Sequence, residues 1–211
     1  MTAMAIEISR SELVDTADQR VLMDGISWDD YEALLRMRGD RSVPRIVYLD
    51  GALELMTTSE DHERIKSVLA ALLQAYMLHI GMEFSSYGHW TLKRRAERSG
   101  IEADDCYRIG LDQTRGRMPD LALEVIWTHG GLDKLEAYRR LGVREVWMWQ
   151  HDEITVHALG PTGYVRHERS SLVPDIDLVE LADHVHEPVQ SAAIRAYTEA
   201  LRARRAIGPT G

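Results

Sequence analysis

The chain of 211 residues holds a single cysteine, Cys106, so no internal disulfide can form and no second thiol is present to build a zinc knuckle. A reducing cytoplasm is the expected compartment. Long hydrophobic runs are equally scarce. Met1 to Arg10 is mixed and short of apolar side chains, and the most apolar later stretch, Val68 to Ile80, is interrupted by Gln74, Tyr76 and His79. Neither a signal peptide nor a membrane span is expected. G-x-S-x-G, Walker and G-x-G-x-x-G motifs are missing, which leaves hydrolase-elbow and nucleotide-loop mechanisms without support. The nine histidines are scattered, and no H-x-x-x-H pair flanks a glutamate on a helix as the zinc peptidases require. His184 and His186 fall near an expected helix end, where cationic side chains suit the terminal carbonyls.

Positive charge is also in deficit. Lysine and arginine total 25 against 34 acids, a formal net charge of −9. That balance is awkward for a protein that binds DNA, because the phosphate backbone rewards basic side chains in the interface. A compact acidic site needs only a local basic rim, and Lys93-Arg94-Arg95 with Arg98, or Arg139-Arg140 with Arg144, could supply it. Solvated surface charge is the alternative for each cluster.

What is present reads as an ordinary globular chain, 45% hydrophobic and 28% charged. Ser27 is placed to cap a helix carrying Tyr31, Leu34 and Leu35 and ending near Gly39. Arg45 to Leu49 and Ala52 to Met56 flank Asp50-Gly51, the signature of a two-residue hairpin. Thr58 and Ser59 can cap a long helix whose apolar face is Ile65, Val68, Leu69, Leu72, Leu73, Tyr76 and Ile80, stopped by Gly81. Strands are expected at 83–87, 90–93, 105–109 and 121–127, the last two antiparallel across the polar loop 110–118. A helix over 132–141 then leads to a strand at 145–149, a unit that calls for parallel pairing. A further hairpin, 154–159 with 164–168, and helices at 177–184 and 189–203 complete the chain.

Carboxylates inside strands carry the most information, because a strand interior disfavours charge unless a partner or metal offsets its desolvation. Glu124 sits within Leu121-Ala-Leu-Glu-Val-Ile-Trp127, an otherwise apolar run of the kind covered on both faces. A structural ion pair with an arginine is the plain explanation, and a shared metal ion the sharper one. Two aspartates compete as its partner. Asp120 lies on the same strand, but four residues of extended chain separate the Cα atoms by roughly 13 Å, too far to share one ion comfortably. Asp104 lies beside the start of a neighbouring strand about 4.8 Å away and can reach the same cation if the register allows. Asp120 is then left to cap the strand entry after Pro119. Lys134 falls on the core-facing stripe of its helix with Leu135, Tyr138, Leu141 and Gly142. Either it snorkels to solvent or its ammonium group is aimed at the carboxylates.

Three segments, Glu102-Ala-Asp-Asp-Cys-Tyr-Arg-Ile-Gly110, Pro119-Asp-Leu-Ala-Leu-Glu-Val-Ile126 and Gly131-Leu-Asp-Lys-Leu-Glu-Ala-Tyr-Arg-Arg-Leu-Gly-Val-Arg-Glu-Val-Trp147, together resemble the Uma-type restriction endonuclease family of the PD-(D/E)XK nuclease superfamily. The likeness extends from about Ile26 to Val185 and takes in the Tyr48 to Glu54 hairpin and the Ser59-Glu-Asp-His62 helix start. It implies an α/β (α+β) restriction-endonuclease-like fold, with a four-stranded mixed core sheet flanked by helices and preceded by an N-terminal helix and β-hairpin. Residues 1–26 would be a variable segment, 27–186 the nuclease-like domain and 187–211 a C-terminal helix and tail. The family's motif aspartate falls on Asp104, its glutamate on Glu124 and its lysine on Lys134. Ala103 replaces the proline that usually precedes the aspartate, and Ile126 stands where the superfamily's lysine would lie, so the lysine has moved to the helix. Glu54 and His62 match family positions near the site, where they could bind a second ion, orient water or brace the ligands.

The reaction implied is hydrolysis of DNA phosphodiester bonds. Asp104, Glu124 and the Val125 carbonyl would hold Mg²⁺, with Mn²⁺ able to substitute, and Lys134 would steady the nucleophile. A homodimer is compatible with the sequence, which does not fix the oligomeric state. The rival readings are a catalytically inactive nuclease-fold module acting in nucleic-acid binding or protein interaction, and a purely structural protein favoured by the acidic charge. Two like charges at Asp104 and Glu124 should also strain the metal-free fold, so neutralising one of them is expected to relieve it.

Overall fold

The computed structural model describes residues 17–127 and 131–207; the reading of Met1 to Arg10, most of the 1–26 segment and the end of the C-terminal tail lie outside the described residues. Ser27 caps α1 (Trp28–Arg38) as expected: its hydroxyl accepts from the Asp30 N–H and the Asp30 carboxylate accepts from the Ser27 N–H, both at 3.2 Å. The hairpin of β2 (Arg45–Leu49) and β3 (Ala52–Thr57) turns at Asp50 and Gly51 with φ of +52° and +97°, the positive pair that a tight two-residue turn demands. An additional strand, β1 (Gln19–Met23), pairs with the outer edge of β3. Helix α2 (Glu60–His79) starts at the Ser59 cap and buries the expected face. Ile80 departs from that expectation. It is the exposed C-cap, and Met77 occupies the core in its place.

The middle of the chain forms β4 (Phe84–Ser86), β5 (Thr91–Arg94), β6 (Ser99–Glu102), β7 (Asp105–Ile109) and β8 (Leu121–Val125). After these come α3 (Lys134–Leu141), β9 (Glu145–Gln150), the hairpin of β10 (Glu153–Gly160) and β11 (Gly163–His167), and the helices α4 (Leu178–Val185) and α5 (Gln190–Ile207). Among the described residues the strands make two sheets, where four strands in one core sheet were expected. One is antiparallel, in the order β1-β3-β2-β6-β5. The other is mixed, in the order β11-β10-β9-β8-β7-β4, with the expected parallel pairing of β8 and β9 and antiparallel pairing of β7 and β8. The mixed sheet flanked by helices is the fold class read from the sequence. The extra sheet comes from β1 and β6, whose sequences, Gln-Arg-Val-Leu-Met and Ser-Gly-Ile-Glu, have little of the alternation that marks a strand.

Side-chain alternation on β7, β8 and β9 divides the core. One face of the mixed sheet, with Tyr107, Leu121, Leu123, Val125, Trp147 and Trp149, is covered by α2, α4 and α5. The opposite face, with Cys106, Ala122 and Val146, meets α3 and the antiparallel sheet through Val47, Ile101, Ala137 and Tyr138. Glu124 belongs to this second face, so it lies between the two sheets. Glu145, at the start of β9, is 1% exposed and accepts from the Ser170 hydroxyl at 2.6 Å, the Ser171 N–H and hydroxyl at 2.7 and 2.6 Å, the Leu172 N–H at 3.2 Å and the Trp147 indole at 3.1 Å. No described helix is long and apolar enough to cross a membrane.

Helix α1 is fastened to the antiparallel sheet by Trp28, Tyr31 and Tyr48, with the two tyrosine rings stacked 5.0 Å apart between centroids. Gly100 of β6 lies directly beneath Tyr31, and a Cβ there would overlap the ring and its hydroxyl. Tyr31 is fully buried and has nowhere to retreat. Gly100→Ala should therefore lower stability by about 1–3 kcal/mol, the usual cost of overpacking. Chemical denaturation measures it; an unchanged midpoint would mean that this contact carries no constraint.

Candidate active site

Strand β8 is buried along its whole length, and Glu124 is 0% exposed. A carboxylate there must find donors within the protein, and α3 provides them. Asp133 caps that helix by accepting from the Glu136 N–H at 3.0 Å, which places Lys134 and Tyr138 one turn apart on the face toward the sheet. Lys134 Nζ donates to Glu124 Oε2 at 2.6 Å, and the Tyr138 hydroxyl donates to Oε1. Lys134 is 8% exposed, so it does not snorkel. Its helix begins at Lys134, two residues later than the sequence indicated, because Asp133 is the cap.

The register that pairs Asp105 of β7 with Leu123 of β8 puts Asp104 opposite Glu124 when extended by one residue. Asp104 is 2% exposed and draws donors from three directions. Arg45, at the start of β2, donates to Oδ1; His62 of α2 contacts the same oxygen through Nε2 at 3.1 Å; the Val125 N–H donates to Oδ2 at 2.7 Å. His62 is in turn held by Asp18 through Nδ1 at 3.0 Å. Because the N–H and C=O of a strand residue point to the same side, the Val125 carbonyl faces the Asp104 side as well. Asp120 stands apart: its Oδ2 accepts from the Ile109 N–H at 2.9 Å, and Arg117 and Arg144 pair with its Oδ1. It fastens the β7–β8 loop and belongs to no part of the acidic pair.

The charges interlock. Burial alone would raise the Asp104 carboxyl, but the Arg45 guanidinium, the His62 hydrogen bond and the Lys134 ammonium outweigh it and hold the group well below the ordinary carboxylate range. Glu124 goes the other way: burial pushes it up, the Asp104 charge adds to this, and Lys134 and Tyr138 only partly oppose it. Lys134 resists the lowering that burial imposes because Glu124 and Asp104 face it, and it stays above the ordinary lysine value. His62 is also lowered by burial, but its hydrogen bonds to Asp104 and Asp18 prevail and raise it to about 9. The like-charge repulsion expected of the pair is felt at Glu124, but each carboxylate also has its own buried cation, and the arginine sought for Glu124 serves Asp104.

Glu54 of β3 is 1% exposed, and its Oε2 accepts from the Leu132 N–H at 2.8 Å, just ahead of α3. Three cavities reach this region. About 260 Å³ opens beside Glu54 and Lys134; two others, about 350 and 340 Å³, share Lys66 and His89 and reach Asp104 and Arg45 respectively. A larger cavity of about 620 Å³, between the β10–β11 hairpin and α4, lies away from these groups. The proposed basic rims line none of the three. Lys93 pairs with Glu32, Arg95 with Asp29, Arg98 with Asp50, and Arg139 and Arg140 with Glu136, which fits solvated surface charge.

Sequence reasoning missed Arg45, Asp18 and the polar role of Tyr138. Arg45 sits at the start of a strand, where a charge usually marks an exposed end. Asp18 acts across 44 residues of chain and has no local signature. Tyr138, one turn from Lys134, was visible only as part of an apolar stripe. Among the described residues no three His, Cys, Asp or Glu side chains are grouped to hold a metal ion. A cation here would draw on the two carboxylates, a carbonyl and water, a set of hard oxygen donors. A carboxylate offers about four lone-pair positions. Asp104 uses three and Glu124 two, so both retain capacity and the donor set fits a hard divalent ion.

A family model named Uma2 and described as "Putative restriction endonuclease" matches residues 28–187, well over half of the chain. No curated protein matches.

The Arg45–Asp104 pair gives a sharp stability test. In chelator, Asp104→Asn leaves Arg45 buried with Glu63 as its remaining ion-pair partner among the described residues and should cost about 3–5 kcal/mol. Adding Arg45→Met should recover much of that loss, because the unpaired charge is gone. Denaturant titrations of the three proteins measure both steps. An Asp104→Asn variant as stable as the parent would mean that the pair is not the support described.

Proposed function

The chain belongs to the Uma2 family, and from that premise we propose that it is a magnesium-dependent endonuclease hydrolysing DNA phosphodiester bonds. The observation that carries the reading is the buried Asp104, just ahead of β7, brought opposite buried Glu124 of β8 by the strand register, with the Lys134 ammonium 2.6 Å from Glu124. Asp104, Glu124 and the Val125 carbonyl would hold Mg²⁺, with Mn²⁺ an acceptable substitute. Once bound, such an ion polarises a phosphate oxygen and lowers the pKa of a coordinated water.

The protein's own groups prepare that site. Arg45 and His62 fix the Asp104 carboxylate between them, and Tyr138 fixes the rotamer of Glu124. Lys134 supplies a compact positive charge in a water-poor seam, where it steadies the attacking oxygen and offsets the charge that develops on the phosphorane. A homodimer would bring one such site to each strand of a duplex. A second reading, a catalytically inactive nuclease-fold module that binds nucleic acid or protein, draws support from the same ion pairs, since each carboxylate is already answered by a protein cation.

Plasmid cleavage separates the two. Asp104→Ala and Glu124→Ala should each abolish Mg²⁺-dependent cutting and the calorimetric heat of Mn²⁺ binding. Asp120→Ala should cut like the parent. Lys134→Met should slow cleavage at least tenfold, about 1.4 kcal/mol of transition-state stabilisation. Circular dichroism must show each variant folded. Parental cutting by either carboxylate variant would remove it from the site, and a parent inert with both metals would favour the non-catalytic module.

A further inference from the structure

Glu54 has one oxygen accounted for and one that is not. Its Oε2 holds the Leu132 N–H, and Gly131 passes so close that a Cβ there would overlap this oxygen. The carboxylate is thus locked against the chain that enters α3. Oε1 has no hydrogen-bond partner among the described residues, although the side chain is 2% exposed. The Arg20 Nε stands 3.8 Å away, an ion-pair distance but too long for a hydrogen bond. An acceptor this deeply buried is costly to leave unmet.

A cavity of about 260 Å³ lies beside the same carboxylate. Arg20, Glu54, Ile126, Asp133, Lys134 and Gln150 line it, with exposed Asp133 at its margin. Lys134 has three N–H donors, of which Glu124 takes one. A donor-rich ammonium and the Glu54 side chain therefore line one space, and a water needs about 30 Å³. The room suffices for a water and the edge of a phosphate.

We propose that Glu54 is the general base of this site: a water held in the cavity by Lys134 gives its proton to the Glu54 carboxylate as it attacks phosphorus. The proposal rests on the nuclease reading above. The water oxygen forms the new P–O bond while its proton passes to Glu54. The bond from phosphorus to the leaving ester oxygen breaks, its electron pair stays on that oxygen, and a proton from solvent completes the alcohol. Glu54 then returns its proton to solvent. The sum is a phosphodiester and water converted to a phosphomonoester and an alcohol. Charged groups face Glu54 from each neighbouring element: Arg20 on β1, with Asp18 beside it at 3.9 Å, Lys134 and Asp133 at the start of α3, and Glu124 of β8 behind Lys134.

The test is single-turnover cleavage of plasmid DNA in Mg²⁺ across a pH series, with plasmid binding in Ca²⁺ and melting temperature measured alongside. The parent's rate should rise tenfold per pH unit on the acid side and then level off. Glu54→Gln preserves the shape and the bond to Leu132. It should lose at least about a hundredfold at the plateau together with the acid limb, while binding and melting stay near the parent's. Glu54→Asp should keep the limb at a reduced rate. A Gln variant that cuts at the parental rate, or more slowly with the limb intact, overturns the general-base role and leaves the nuclease standing. If the Gln variant does not fold, an Asp variant that folds without the limb overturns it equally. A parent that cuts no plasmid in Mg²⁺ or Mn²⁺ overturns both.

Discussion

A carboxylate can remain charged inside a protein only if donors come to it, and Asp104 brings them from three separate elements. Arg45 reaches it from the antiparallel sheet, His62 from the long helix and the Val125 N–H from the mixed sheet. These are the parts that must meet for the two sheets to enclose a site. The apolar clusters on either side supply most of the burial, but hydrophobic contact is not directional and would tolerate sliding. The hydrogen bonds at Asp104 do not. They fix which residue of β2 faces which residue of β8, and so they set where Glu124 and Lys134 come to rest.

Charge balance follows from the same enclosure. Asp18, Glu54, Asp104 and Glu124 lie in or beside the seam, with Arg20, Arg45, His62 and Lys134 among them. A net charge of −9 over the chain therefore does not describe this seam, where the four acids stand among four cations. On the outer surface, basic residues are tied to local acids. A phosphate entering the seam would meet Lys134 or Arg45 with their charge already directed inward.

Much of this was legible in the sequence, for reasons that differ by element. The β2–β3 hairpin, α1 and α2 carry local signals, a cap or an Asp-Gly turn, that act over a few residues and survive without context. Glu124 was conspicuous because an apolar strand offers it no local partner, and Asp104 followed from strand spacing. The second sheet was not legible. Strand β6 is Ser99-Gly-Ile-Glu102, whose polar ends are offset only by distant groups: the Ser99 hydroxyl donates to the Ala137 carbonyl at 3.0 Å, and Glu102 accepts from Arg38 and the Ile46 N–H. Its glycine is needed by Tyr31, sixty-nine positions earlier. Arg45 and Asp18 were hidden for the same reason, since what keeps each of them buried is a partner from another part of the chain.

The two kinds of buried acid respond differently to dissolved salt. Glu145 is surrounded by hydroxyl, amide and indole dipoles, and no cation is among the partners described for it. Mobile ions screen separated charges across solvent; they have little hold on dipoles in contact with a carboxylate they cannot reach. The joint between β9 and the loop at residues 170–172 should therefore be indifferent to ionic strength, whereas surface pairs such as Arg95 with Asp29, 61% and 80% exposed, weaken as salt rises. Ionic strength thus becomes a dial that loosens the surface pairs while leaving this part of the scaffold standing.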